Sequence, residues 1–198
     1  MGLELKAENN IAPINDQLME LIPPDSKIIE FGCGKGDLLF KLSKKIKYGL
    51  GIDKSRGLIE NAIRRKEKEH ILNIDFVSKE LGKNYKNTEI FDFFVASLFF
   101  HVIPRADAIF LLNTMKTVTP TLLICGISRP EKWREKAFFW FDQKITSHYK
   151  NFKAYKNAGY MEGLFEASNL IPLVYNTSIP FIKIYKIERP PIISEILG

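Results

Sequence analysis

Apolar positions along this chain fall into short, nearly unbroken runs separated by stretches in which they recur every three or four residues. Runs at 28–31, 48–53, 71–77, 90–96 and 121–127 have the character of strands buried on both faces of a parallel sheet. Between them, 36–46, 57–68 and 106–117 carry helical spacing, and Pro120 bounds the fifth strand at its start. A last pair of runs, 171–175 and 180–187, is joined by Asn176-Thr177-Ser178 and reads as a hairpin. Pro190-Pro191 stops its second strand, leaving a short apolar tail, 192–197, that would suit docking on a neighbouring subunit. Strand alternating with helix predicts an α/β domain.

The first strand runs directly into Gly32-Cys33-Gly34-Lys35-Gly36-Asp37. Glycines there let the backbone turn sharply, reach positive φ and lie flat against a ligand, while free N–H groups at the helix start face it. The dinucleotide fingerprint requires Gly-x-Gly-x-x-Gly. Here Gly36 comes one residue too early, and Asp37 stands where that fingerprint has glycine. Glu30 just before the turn would also repel a pyrophosphate. Carboxylates suit a ligand bearing positive charge and sugar hydroxyls. Asp53 ends the second strand, roughly twenty residues past the turn, where an acid can bond both hydroxyls of a ribose. An N-cap for the helix that follows is the alternative role for Asp53.

Glu-x-Gly-x-Gly-x-Gly followed by this acid resembles the first motifs of class I S-adenosylmethionine-dependent methyltransferases. The resemblance extends over about Ile11 to Ile187 and is tightest at the glycines. It implies a three-layer Rossmann-like sandwich: a mostly parallel sheet of about seven strands whose C-terminal antiparallel hairpin inserts the last strand. It also implies S-adenosylmethionine as cofactor and S-adenosylhomocysteine as product. Glu30, Gly32, Cys33, Gly34 and Gly36 would serve the methionine end, and Asp53 with Lys54 the ribose. The family's Phe-Val-x-x-Asp-Ala segment corresponds to Phe76-Val77-Ser78-Lys79-Glu80-Leu81. Glu80 takes the position of the acid that meets the adenine amine, one methylene longer, and Leu81 lies along the ring. A solvated acid starting a helix is the other reading of Glu80. Ser97 and Leu98, after the fourth strand, are the cofactor-wall candidates there, in a segment like the family's Leu-x-His-Val.

Composition is that of one globular domain spanning 1–198, with 45% hydrophobic and 26% charged residues. No apolar run has membrane-spanning length, and the first residues lack a secretion signal. A cytoplasmic protein with two reduced cysteines, Cys33 and Cys125, is expected. No Cys/His cluster has zinc spacing, so no metal is expected. The net charge of +6 invites nucleic acid as a partner. Its densest run, residues 64–69, alternates sign on a helix away from the ligand edge, as a solvated face does. Base- or glutamine-methylating enzymes of the family carry Asn/Asp-Pro-Pro-Tyr/Phe after the fourth strand, and cytosine C5 enzymes a cysteine; Ala96-Ser97-Leu98-Phe99 is neither.

Residues 129–160 exceed what the plain fold requires and are rich in aromatics, among them Trp133, Phe138, Phe139, Trp140, Phe141, Tyr149, Phe152, Tyr155 and Tyr160. Helical spacing allows one face to pack inward. The family often forms a lid here, which predicts closure over a hydrophobic or aromatic small molecule; a core helix plus loop is the alternative. Acceptor-contact candidates are Asp142, His148, Tyr149 and Tyr155. Candidate bases are His148, by its near-neutral pKa, then His101 and Tyr155. His101, alone in an apolar run, also reads as a structural hydrogen-bonder. The resulting expectation is in-line methyl transfer to a small-molecule acceptor by a monomer or homodimer. Rivals are a nicotinamide oxidoreductase, an RNA or protein methyltransferase, and a non-catalytic cofactor-binding or partner subunit.

Overall fold

The structure, a computed structural model, describes residues 4–82, 85, 89–130 and 149–189. Seven strands, β1 (Lys27–Phe31), β2 (Tyr48–Asp53), β3 (Ile74–Ser78), β4 (Phe93–Ser97), β5 (Thr121–Ile127), β6 (Leu173–Asn176) and β7 (Ile182–Glu188), form one sheet. Its order is β3-β2-β1-β4-β5-β7-β6, with the first five strands parallel and β7 antiparallel to both of its neighbours, β5 and β6. This is the mostly parallel, seven-stranded Rossmann-like sheet with an inserted C-terminal hairpin that the resemblance implied. The chain winds outward from β1 to β3, then returns to place β4 on the other side of β1. That reversal opens a crevice at the carboxyl ends of β1 and β4, where α/β sheets bind ligands.

Helices cover both faces. Ile28, Ile74, Phe93, Val95 and Leu123 point to one face, under α1 (Glu4–Glu20), α2 (Asp37–Leu42) and α3 (Arg56–Lys68). Ile29, Phe31, Phe94, Ile124 and Tyr185 point to the other, under α4 (Arg105–Val118), α5 (Tyr149–Asn157) and α6 (Tyr160–Ala167). Two-faced burial explains why the strands lack alternation: Phe93 to Ala96 are all buried. Helix α1 precedes the first predicted element and carries Pro13; Ile14 and Leu18 seat it, and Lys41 pairs with Asp16 at 2.7 Å.

Several boundaries move inward for local reasons. The third strand starts at Ile74 rather than Ile71. Asn73 turns its amide to the carbonyls of Ser43 and Ile46, at 2.8 and 2.9 Å, and Leu72 is left 90% exposed. The fourth starts at Phe93, because Asp92 caps the neighbouring strand by accepting the Lys27 N–H at 2.7 Å. Helix α2 ends at Leu42, where the Ser43 hydroxyl donates to the Phe40 carbonyl. Strand β6 is the exposed edge, with Leu173, Val174 and Tyr175 all in water. The tail 192–197 and Pro190-Pro191 lie outside the described residues.

Candidate functional site

The turn after β1 is tied to the tip of β2. Gly32 donates its N–H to the Ile52 carbonyl at 2.8 Å, and Gly34 donates to Asp53 Oδ2 at 3.0 Å. Asp53 Oδ1 accepts the Ser55 N–H at 2.8 Å. Asp53 therefore braces both loops, while each oxygen keeps a lone pair for a further donor. Helix α3 is capped by Ser55, without a side-chain cap bond. Gly32 has φ +71°, and a Cβ there would stand 2.4 Å from the Phe99 ring. Gly36 has φ +83°, with Phe76 just as close. The first glycine thus lets the β4 loop close on the turn, and the third lets the turn close on β3.

Glu30 lies beneath the turn, 3% exposed, and its Oε2 has no hydrogen-bond partner among the described residues. Burial first, then the charges of Asp37 and Asp53, push its carboxyl up to about 8. A buried acid with an unpartnered oxygen, its proton favoured by burial and by two neighbouring carboxylates, is suited to a positively charged ligand group. Cys33 is a buried filler, its Sγ 2.8 Å from where a Gly51 Cβ would be. Burial pushes its thiol far above the ordinary range, and pushes Cys125 up to about 12, so neither is a ready nucleophile.

Above the turn lies a cleft of about 420 Å³. Gly32, Asp53, Lys54, Glu80, Leu81 and Leu98 line it, all singled out by the sequence. Glu30, Cys33, Gly34, Gly36 and Ser97 do not; they build its support, and the Ser97 hydroxyl bonds the Cys125 thiol. Leu98 holds φ +52° at the end of β4, its N–H bonded to the Cys125 carbonyl at 2.9 Å. A left-handed leucine costs about 1–2 kcal/mol, and such strain gathers at ligand clamps. Sequence reasoning missed Ser55, Phe99, Val102, Asp107 and Asn151 in the same wall. Phe99 and Val102 lay inside the quoted run after β4, but Asn151 carried no signal. Its amide reaches the Val102 carbonyl, at 2.8 Å, from 49 positions away.

The base candidates diverge. Tyr155 is 2% exposed, its hydroxyl donates to the Ile127 carbonyl, and burial holds its pKa well above the usual phenol range. His101 is half-buried, with Phe152 and Tyr155 rings 6.2 Å away. Tyr149 is 41% exposed. His148, Asp142 and the aromatics Trp133, Phe138, Phe139, Trp140 and Phe141 lie outside the described residues. The aromatics that follow, Phe152, Tyr155 and Tyr160, are buried in the core of the α4–α6 face. Among the described residues, no cluster of His, Cys, Asp or Glu is arranged for a metal ion, and no helix is long and apolar enough to cross a membrane.

A doubly wound sheet with a glycine turn at its switch point, an acid on the next strand tip and a cleft between them defines a Rossmann-like ligand-binding domain. Residues 28–120 match the family model described as a methyltransferase domain. Over that stretch, just under half of the chain, the sequence is similar to a methyltransferase domain. Its fold is shared with the PH0226 protein of Pyrococcus horikoshii, at 11% identity, covering 93% of this chain and 91% of that one with a TM-score of 0.71. The N-methyltransferase NodS of Bradyrhizobium japonicum aligns at 14% identity over 90% and 95%, TM-score 0.63. Magnesium protoporphyrin IX methyltransferase of Synechocystis, with bound S-adenosylhomocysteine, aligns at 13% over 94% and 84%, TM-score 0.66. In sequence, 89 residues are 32% identical to the 23S rRNA (uracil(1939)-C(5))-methyltransferase RlmD of Vesicomyosocius okutanii. That stretch is 45% of this chain and 20% of that enzyme, so the chain spans only a small part of that relative's length.

Proposed function

We propose that the protein transfers a methyl group from S-adenosylmethionine to a small-molecule acceptor. The observation that carries the reading is the cleft itself: Gly32, Asp53, Leu81 and Leu98 converge on it from four strand ends. The site fits that cofactor. The unpartnered Oε2 of Glu30 beneath the turn suits a cationic methionine end, and Asp53 retains acceptor capacity for ribose hydroxyls. Three carboxylates (Asp53, Glu80, Asp107) and one ammonium (Lys54) line the cleft, a balance that opposes pyrophosphate and disfavours a nicotinamide dinucleotide.

When bound, the cofactor supplies an electrophilic methyl group for in-line displacement by an acceptor oxygen, nitrogen, sulfur or carbon. The chain's own work is alignment and exclusion of water. Gly32 allows close approach of backbone, Asp53 fixes the sugar, and Leu98 and Phe99 wall the reacting end. Such orientation is worth up to about 7–11 kcal/mol of barrier. No described side chain is needed as a base when the acceptor is a neutral amine or a thiolate.

RNA is the second reading, favoured by the rRNA methyltransferase match. Against it stand the two cysteines, both buried with raised pKa values, since ring-carbon methylation of a pyrimidine calls for an attacking nucleophile. Much of the basic charge on α3 is also spent internally: Arg65 on Asp37 and Glu69, Arg56 on Glu60, Lys66 on Asp75.

A thermal-shift titration with S-adenosylmethionine, S-adenosylhomocysteine and NAD tests the cofactor. Ligand at about one hundred times its dissociation constant stabilises by roughly 2.7 kcal/mol. A shift with the first two alone is expected; none with either removes the reading. Labelled methyl carried into a small-metabolite extract rather than total RNA supports the small-molecule acceptor, and the opposite partition overturns it.

A further inference from the structure

Two acids border the end of the cleft where Leu81 lies, and they differ in setting. Glu80 is exposed on the loop after β3. Asp107 is half-buried in the first turn of α4, whose end is turned to the same cleft. The Asp107 carboxyl packs against the residue that follows Leu81: a Cβ built on Gly82 would stand 3.5 Å from its Cγ and Oδ1. Its own N–H is taken by the Pro104 carbonyl at 3.0 Å, which fixes the turn that carries it. The carboxylate has no side-chain hydrogen bond or ion pair among the described residues.

We propose that Asp107, rather than Glu80, reads the exocyclic amine of the cofactor's adenine. The inference rests on the S-adenosylmethionine reading of the cleft. A flat ring lying along Leu81 has its far edge toward Gly82, whose missing side chain leaves the space that the Asp107 carboxyl faces. A partly desolvated carboxylate is acceptor-only, so it takes an amine and repels a carbonyl oxygen. Glu80 reaches the same region only through a longer, solvated side chain, where a hydrogen bond competes with water. Asp107 stands in the first turn of α4, where the helix end favours a negative charge.

The rival account makes Asp107 merely a favourable charge at a helix start, and discrimination between two ligands separates the two. Calorimetric titrations of wild type, Asp107→Asn, Asp107→Ser and Glu80→Gln would use S-adenosylhomocysteine and its 6-oxo analogue, S-inosylhomocysteine. Wild type is expected to prefer the adenosyl ligand by at least about tenfold, or 1.4 kcal/mol. Asp107→Asn, which can donate to a carbonyl, should bring the two affinities within about threefold of each other, and Asp107→Ser should weaken the adenosyl ligand without gaining the analogue. Glu80→Gln should keep the wild-type ratio. An unchanged ratio in folded Asp107→Asn and Asp107→Ser, or a ratio lost in Glu80→Gln, overturns the proposal while leaving the cofactor reading intact. Failure of wild type to bind either ligand removes the cofactor reading and this inference with it.

Discussion

The two faces of the sheet are packed with different materials. Among the described residues, eleven buried aromatics fill the core under α4, α5 and α6, against three under α1, α2 and α3. On the aromatic face, Phe31 meets Tyr85, Phe94 and Phe99 edge-on at 4.8–6.4 Å, and Tyr155 meets Tyr160 at 5.8 Å. That core runs directly into the cleft wall through Leu81, Phe99 and Ile103. The aliphatic face lies under the glycine turn instead, and its one buried acid is Glu30, placed there by alternation with Ile29 and Phe31. One face thus shapes the ligand's surroundings with rigid rings anchored by hydroxyls. The other supports the backbone that approaches the ligand.

The largest effect expected on the aliphatic face comes from Glu30. Between the ordinary 4.5 of the unfolded chain and about 8 in the fold, the folded state holds the extra proton. Stability of the ligand-free protein therefore falls as pH rises across that window, by on the order of 5 kcal/mol in all. Glu30→Gln should flatten that slope in urea titrations from pH 5 to 8.5; an equal slope in both proteins would mean the acid is not held neutral. Next in size is Gly36→Ala, which forces a left-handed alanine into Phe76 and should cost about 2–5 kcal/mol. If it left stability unchanged while abolishing S-adenosylhomocysteine binding, the support role of this face would be wrong.

On the aromatic face, Tyr155→Phe strands the Ile127 carbonyl and should lower unfolding free energy by roughly 1–3 kcal/mol. Turnover should keep its pH profile, since the phenol stays protonated in the core; a lost basic or acidic limb would instead make Tyr155 part of the chemistry. Smallest is Arg65→Ala. Arg65 pairs with Asp37 and Glu69 at the surface and sits 3.9 Å above the Phe40 ring. Less than about 1 kcal/mol is expected, salt-sensitive in its ionic part, with ligand affinity unmoved.

The legible parts of the fold are those governed by near neighbours. Strand runs buried on both faces, the turn that follows Phe31 and the acid at the tip of β2 are set within a few positions, and each stands where the pattern put it. The family resemblance implied the mostly parallel sheet and the insertion of the last strand through an antiparallel hairpin, but not the order of the strands. Boundaries failed where one polar side chain diverted the backbone, as Asn73 and Asp92 do, because no hydrophobic pattern registers a single amide or carboxylate.

The sequence by itself determined that three glycines and two acids gather at one edge of an α/β sheet, because local backbone conformation and strand alternation demand it. Only the tertiary structure decided what stands opposite them. Asn151 meets Val102, and Asp107 meets Gly82, across 49 and 25 positions of chain. It also turned Tyr155 from a candidate acceptor contact into a core anchor on Ile127, 28 positions away. Such encounters depend on how helices seat on a sheet through many weak contacts, and no single residue or spacing encodes them.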